Sequence, residues 1–399
     1  MQSGRRYNFL VIGGALLACL LFALVNSSVD PWRVSPVSWR LGGLEPYRDI
    51  SSQIRTGKAG LIRSGDWDVG LFGSSRVDNA WNPRAAGWQD RRVVNLGASG
   101  GFIYETLGIA RHFLARENPE LLVIGIDPGD LASDLDTRPL SDYASSPFGE
   151  VDGLNRELRY VFGLSTFEAS LEVLRRAGTR QLAEYTPEGL RLRPEVARSR
   201  SQMKFIRDQL RGSRDESGGA VNPAKAALLR DFLRDCAGGP ARVVLVLHPV
   251  HALMHARARD LPDPPVLFEE TRRFLLDATL EANRLNPTAP FVRYWDFCNF
   301  HPAHCEPLPA DKQGLDRMRH WNDLGHYDVA LGESVLGHAL GWQPLRPEWR
   351  DQGREITPET LEPYLATVRE GYRAYLAGPG AADVAWKESL LAPAPPHRP

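Results

Sequence analysis

From Tyr7 to Val29 the chain carries no charged side chain, and FLVIGGALLACLLFALV fills most of that run. At ~1.5 Å per residue, such a segment wound as a helix crosses a hydrocarbon layer of roughly 30 Å. Arg5 and Arg6 on one side and Asp30 on the other orient it with the N-terminus in the cytoplasm and the body exported. The expected location is therefore an inner membrane crossed once, with the body in the periplasm. Two other readings stay open. A signal peptide would need a cleavage site, and no small-x-small pattern closes the run. LLAC ending at Cys19 is lipoprotein-like, but LLFALV would then be an unusual mature start.

Beyond the anchor, the remaining sequence alternates short apolar runs with helical periodicity. Asp68–Phe72, Arg92–Asn95, Leu121–Ile126, Ala241–Leu247 and Phe291–Phe297 read as strands, apolar enough to be covered on both sides. Ile103, Leu107, Ala110 and Leu114 recur at the helical period. Asn222-Pro223 opens another helix and Gly238-Gly239 closes it. Further helices are expected from Pro265 and after His326, and Ser165 with Glu168 suggests a capping box. Strands alternating with helices predict an α/β fold, a three-layer α/β/α sandwich on a largely parallel sheet.

The expected organisation is an anchor or signal over 1–30, a linker over 31–67, a domain over 68–340 and a Pro-rich extension over 341–399. The domain is interrupted by an insertion at about 131–220, rich in arginine, glycine and serine and expected to be partly mobile. With 48 basic and 49 acidic residues the chain has no bulk charge to gather nucleic acid, and no nucleic-acid-binding motif accompanies it.

Three motifs carry chemistry. VGLFGSSRV sends a strand into Gly73 and two serines, Ser74 and Ser75, at the edge where open α/β sheets bind ligands. VVNLGASGG puts glycines beside it, and Ser99-Gly100 can add a backbone N–H to an anion hole. WNDLGHYDVALG holds Asp323 three residues before His326, a spacing that lets the carboxylate fix the ring tautomer. Each motif also has an ordinary structural reading as a turn or a cap. Arg76 is a candidate for an anionic substrate or for bracing the turn. His248 and His251 in LHPVHALMHA are candidates for substrate contact at the sheet edge. In CNFHPAHC, Cys298 and Cys305 can close a disulfide, stay free, or join His301 and His304 around zinc.

Together these motifs resemble the SGNH (GDSL-like) hydrolases over roughly Asp68 to Leu340. The resemblance implies Ser75 as nucleophile, Ser75 and Gly100 as oxyanion donors, Asp323 as the orienting carboxylate and His326 as base. The GSSR form resembles the branch of alginate O-acetylation and teichoic acid D-alanyl transfer proteins. That branch implies an extracytoplasmic or cell-envelope polysaccharide as acceptor and a membrane-bound O-acyltransferase as partner, with no cofactor and no metal. The third family block departs: GIDPGDL at Gly125–Leu131 lacks the asparagine donor, a loss of ~3 kcal/mol in the transition state. Transfer through an acyl-enzyme is thus expected over fast hydrolysis. A carbohydrate esterase or deacetylase, and a weakly catalytic glycan-binding or assembly protein, are the alternatives.

Overall fold

The computed structural model describes residues 2–36, 39–133, 141–149, 153–192, 201–212, 217–312, 315–343 and 346–392. The chain divides into two compact units. The first joins 1–66 to 139–192, and the second joins 67–138 to 193–399.

The second unit is α/β. Its sheet runs β2-β1-β3-β4-β5-β6, with β1 Val69–Phe72, β2 Val93–Asn95, β3 Leu121–Ile126, β4 Arg242–Leu247, β5 Val292–Asp296 and β6 Arg354–Glu355. The first five strands are parallel, and β6 adds an antiparallel edge through Trp295↔Glu355 and Asp296↔Arg354. All of β1 and nearly all of β3 and β4 are buried, as their unbroken apolar sequences require. The order reverses at β1, which lies between β2 and β3, so the carboxyl ends of β1 and β3 flank a switch point where such sheets receive ligands.

Helices α3 Ser75–Ala80 and α4 Ile103–Leu114 follow β1 and β2. The expected Asn222 cap is formed: its side chain accepts from the Ala224 and Lys225 N–H groups of the helix Pro223–Cys236. The helix expected from Pro265 starts later, at Glu269, because Phe268 takes a left-handed conformation that cannot continue a helix backwards. The last expected helix runs Val329–Leu340, capped by Asp328. The 341–399 extension is more than a tail. Its helices Leu361–Ala377 and Ala381–Leu391 bury Tyr364, Leu365, Val368, Tyr372 and Val384 in this unit.

The first unit is helical: α1 Gln2–Val29, α2 Ile54–Ser64, α5 Ser141–Ser145, α6 Gly153–Phe162 and α7 Leu164–Thr179. Tyr7–Val29 of α1 is long and apolar enough to cross a membrane, a test that a signal sequence also passes. The last turns of α1 are built into the unit. The Arg48 guanidinium donates to the Val29 carbonyl at 2.9 and 3.1 Å, a cation at a helix C-terminus. Asn26, 1% exposed, donates to the Val161 and Gly163 carbonyls at the end of α6.

The described residues of 31–67, expected as a linker, are thus folded, with Asp30 receiving the Val34 and Ser35 N–H groups and α2 largely buried. The insertion is divided: 139–192 completes the first unit, and the rest stays with the second. Ser165 and Glu168 form no capping box, because α7 begins one residue earlier, after Gly163, with no side-chain cap. Arg207 and Arg211 of the arginine-rich stretch lie on the helix Gln202–Gly212, while 193–200 and 213–216 lie outside the described residues.

Candidate active site

The site lies in the second unit and starts from β1. Gly73 has φ +152°, and a Cβ there would meet Val77 Cγ2 at 2.5 Å, so only glycine lets the strand turn this sharply into α3. Ser74 is the N-cap of α3 and Ser75 its first residue. The two serines differ in consequence. Ser74 is buried and accepts from the Arg76 N–H at 3.4 Å, whereas Ser75 is half-buried.

The Ser75 Oγ lies 2.7 Å from His326 Nε2, and His326 Nδ1 lies 2.8 and 2.9 Å from the two Asp323 oxygens. An ionised carboxylate only accepts, so Nδ1 carries the proton and Nε2 accepts from the serine hydroxyl. Asp323 is 2% exposed and also receives the Gly325 and His326 N–H groups at 2.8 and 3.0 Å. A serine, an imidazole and a buried carboxylate in this order form a proton relay able to activate the hydroxyl.

The second motif is tied to the first. Leu96 N donates to Leu71 O at 2.8 Å and Ala98 N to Gly73 O at 2.9 Å. A Cβ on Gly97 would meet the Asp78 N at 2.5 Å, so glycine is required for this approach. Asn95 is not at the surface of the site. It is fully buried, and its amide donates to the Val77 and Trp81 carbonyls at 2.7 and 2.8 Å, closing the end of α3. Gly100 is exposed with φ +73°. Neither the Ser75 nor the Gly100 N–H has an acceptor among the described residues, which leaves both able to donate to an anion.

The third block is rebuilt around charge. Asp127 follows β3 and meets the Arg76 guanidinium at 2.6 Å. Burial would raise the Asp127 carboxyl, but Arg76, with help from His248 and Ser74, holds it below the usual carboxylate range. Its negative charge is therefore answered internally. Asp130 accepts the Ile103 N–H at the start of α4 and the Lys225 ammonium at 2.6 and 3.0 Å, and burial pushes its carboxyl up to about 6.

The two histidines expected at the substrate edge are buried instead. His248 is 0% exposed and packs against Gly125. Trp81 donates to the Tyr327 hydroxyl, which donates to His248 Nδ1 at 2.8 Å. Burial lowers the His248 imidazole to about 3. His251, also 0% exposed, accepts the Leu253 N–H and donates from Nε2 to the Glu306 carbonyl at 2.6 Å. Its backbone N–H donates to Leu324 O at 3.1 Å, so it braces the Asp323–His326 loop from behind. Both follow a strand, as substrate-contacting residues do at such a sheet edge, but that position here turns inward. Arg76 is bound to Asp127 and lies against Gly325, which makes it a brace between the first and last motifs.

Two glutamines outside the three motifs support the last of them. On the helix Gln202–Gly212, Gln209 accepts the Leu324 N–H at 3.1 Å and reaches Asp323 Oδ1 at 3.5 Å. Gln202, two turns earlier, donates to Trp321 O at 2.5 Å and accepts from Met318 N. Their spacing of seven marks one helix face, a signal hidden by the surrounding arginines.

All four cysteines are free thiols, and burial pushes Cys298 and Cys305 up to about 12. The four side chains of the CNFHPAHC segment do not converge as ligands, and no group of three metal-binding side chains occurs among the described residues. His301 and His304 are instead used within their own turn: Ala303 N donates to His301 Nδ1 at 3.1 Å, and His304 Nδ1 donates to the Asn299 side-chain oxygen at 2.9 Å.

No family model matches the chain, and no curated protein does. A solved structure from Streptococcus pneumonia, described as a "putative platelet activating factor", aligns over 73% of this chain and 90% of its own at 11% identity, with a TM-score of 0.30. At that score the likeness carries no argument about function.

Proposed function

We propose that the chain is an SGNH-like serine acyl enzyme, a three-layer α/β/α member of that superfamily, that transfers an acetyl group to an extracytoplasmic polysaccharide. The observation that carries the reading is the Ser75–His326–Asp323 relay, with its 2.7 and 2.8 Å links and its buried carboxylate. In this scheme Ser75 Oγ attacks the ester carbon of the donor while His326 Nε2 takes the hydroxyl proton. The Ser75 and Gly100 N–H groups receive the developing oxyanion. Collapse expels the donor alkoxide, which takes the proton from His326 and leaves an acyl-serine. A sugar hydroxyl then gives its proton to His326 and attacks the acyl carbon, restoring Ser75.

Retention of α1 as an anchor is supported by its last turns, since cleavage within the run would remove the Asn26 and Val29 contacts on which the first unit is built. An anchored enzyme facing the periplasm would work beside a membrane-bound O-acyltransferase at high effective concentration. The test has two parts. A fluorophosphonate probe should label Ser75 in the purified full chain, and its absence sinks the acyl-enzyme. NMR of the host's surface polysaccharide should then find O-acetyl groups lost in a deletion strain and in His326→Ala. A rise in both would make the enzyme a deacetylase, and no change would remove the polymer.

A further inference from the structure

The first unit carries an apolar surface that its own core does not use. On α6, Leu154, Leu158 and Phe162 recur every four residues and are 70%, 47% and 45% exposed. On α7, Leu164 and Leu171 are 58% and 47% exposed. Soluble surfaces tolerate single apolar side chains, but five exposed on two consecutive helices mark a contact.

Its neighbour indicates what the contact is. Phe167 of α7 stacks on Phe22 of α1 with ring centroids 4.5 Å apart. Phe22 lies four residues, about 6 Å, on the apolar side of Asn26, where the run of α1 turns polar with Asn26, Ser27 and Ser28. The turn between α6 and α7, with Phe162 and Leu164 on either side of Gly163, is therefore level with the end of the membrane-spanning run rather than above it.

Beside this corner is a cavity of about 300 Å³ lined by Trp32, Thr56, Asn155, Arg156, Arg159 and Thr166, among others. Trp32 is 4% exposed, and its indole N–H has no acceptor among the described residues. Arg159 has no carboxylate partner among them. Arginines, a tryptophan donor and small hydroxyls next to an apolar stripe form a polar rim of the kind that meets lipid headgroups.

We infer that the α6–α7 corner is a second membrane contact, seated in a leaflet of anionic phospholipid, and that the cavity behind it receives the headgroup phosphate. The occupant is a phospholipid because the cavity opens beside the apolar corner, which a free phosphate would leave bare. The inference rests on the reading of α1 as a retained anchor, and the test separates the two. The full chain, with Cys19 and Cys305 replaced by alanine, is placed in nanodiscs of phosphatidylcholine with phosphatidylglycerol. A bimane label is introduced by Leu16→Cys or by Phe162→Cys.

Lipid-borne doxyl groups should quench both labels, and aqueous iodide should quench neither. If the Leu16→Cys label is quenched by lipid and the Phe162→Cys label by iodide, the corner is not in the membrane and this inference alone falls. If iodide quenches both, the anchor falls with it. In a second measurement, native mass spectrometry counts phosphatidylglycerol retained by the full chain. Arg156→Gln with Arg159→Gln should lower it by roughly an order of magnitude relative to phosphatidylcholine. An unchanged ratio overturns the headgroup site.

Discussion

Asp323→Asn isolates what the buried carboxylate contributes, because asparagine has nearly the same shape. With its carbonyl oxygen where Oδ1 stands, the side chain still accepts the Gly325 and His326 N–H groups at 2.8 and 3.0 Å. The amide NH₂ then occupies the Oδ2 position, 2.9 Å from His326 Nδ1. The carbonyl oxygen stays 2.8 Å from Nδ1 but is already taken by two backbone donors, while the NH₂ at 2.9 Å opposes the Nδ1 proton, so the balance moves toward the Nε2-protonated tautomer. Protonated there, it no longer accepts from Ser75, and the base is lost with the loop intact. The opposite amide flip restores an acceptor to Nδ1 but strands two buried N–H groups, at about 1–3 kcal/mol each.

The wrong tautomer is therefore favoured, and the expected loss is about 10³–10⁴ in acylation rate, or roughly 4–5.5 kcal/mol in the barrier. The assay is the second-order rate of fluorophosphonate labelling at Ser75, read alongside a thermal melt. A melting temperature near wild type with labelling slowed at least a thousandfold is the expected result. Labelling within tenfold of wild type would falsify the relay.

Ser75→Ala should abolish the adduct that an activated acetyl ester leaves in intact-mass spectra. Ser74→Ala should keep it while losing about 0.5–2 kcal/mol of stability with the α3 cap. Gly97→Ala, which drives a methyl into the Asp78 N–H, should slow Ser75 labelling by separating the first two motifs, and an unchanged rate would mean the contact can relax. Acid should destabilise the second unit, because burial holds His248 and His304 at about 3 and His251 at about 4. Below about 6.5 the unfolded chain binds protons that these native imidazoles refuse, so stability falls as pH drops through that value, by about 2 kcal/mol per histidine at pH 5. Asp130 works in the opposite sense but is one group against three. Urea unfolding at pH 7 and pH 5 measures the balance, and equal or greater stability at pH 5 refutes it.

The membrane-length run, the five parallel strands and the residues of the relay were legible in the sequence, because each depends on local rules. An uncharged apolar stretch, unbroken apolar strands and a carboxylate three residues before a histidine need no distant partner to be recognised. What lay beyond local rules came from long-range pairing. His248 and His251 follow a strand as binding residues do, yet the tertiary structure buries them under Tyr327 and Leu324. Asp127, in the block that lacks the asparagine, has its charge answered by Arg76 at 2.6 Å, a pairing that no local pattern announces.

Gln209 belongs to a stretch that reads as a solvated insertion and holds the Asp323–His326 loop from 114 and 115 positions away in sequence. The 31–67 segment reads as a linker because its buried Arg48 and its Val34 and Ser35 N–H groups meet Val29 and Asp30 only where the end of α1 is folded. Sequence alone determined which motifs hold Ser75, Asp323 and His326 and which segment is long and apolar enough to cross a membrane. Only the tertiary structure decided which polar groups stay open at the sheet edge and which are consumed inside, because a side chain's hydrogen bonds depend on neighbours hundreds of residues away.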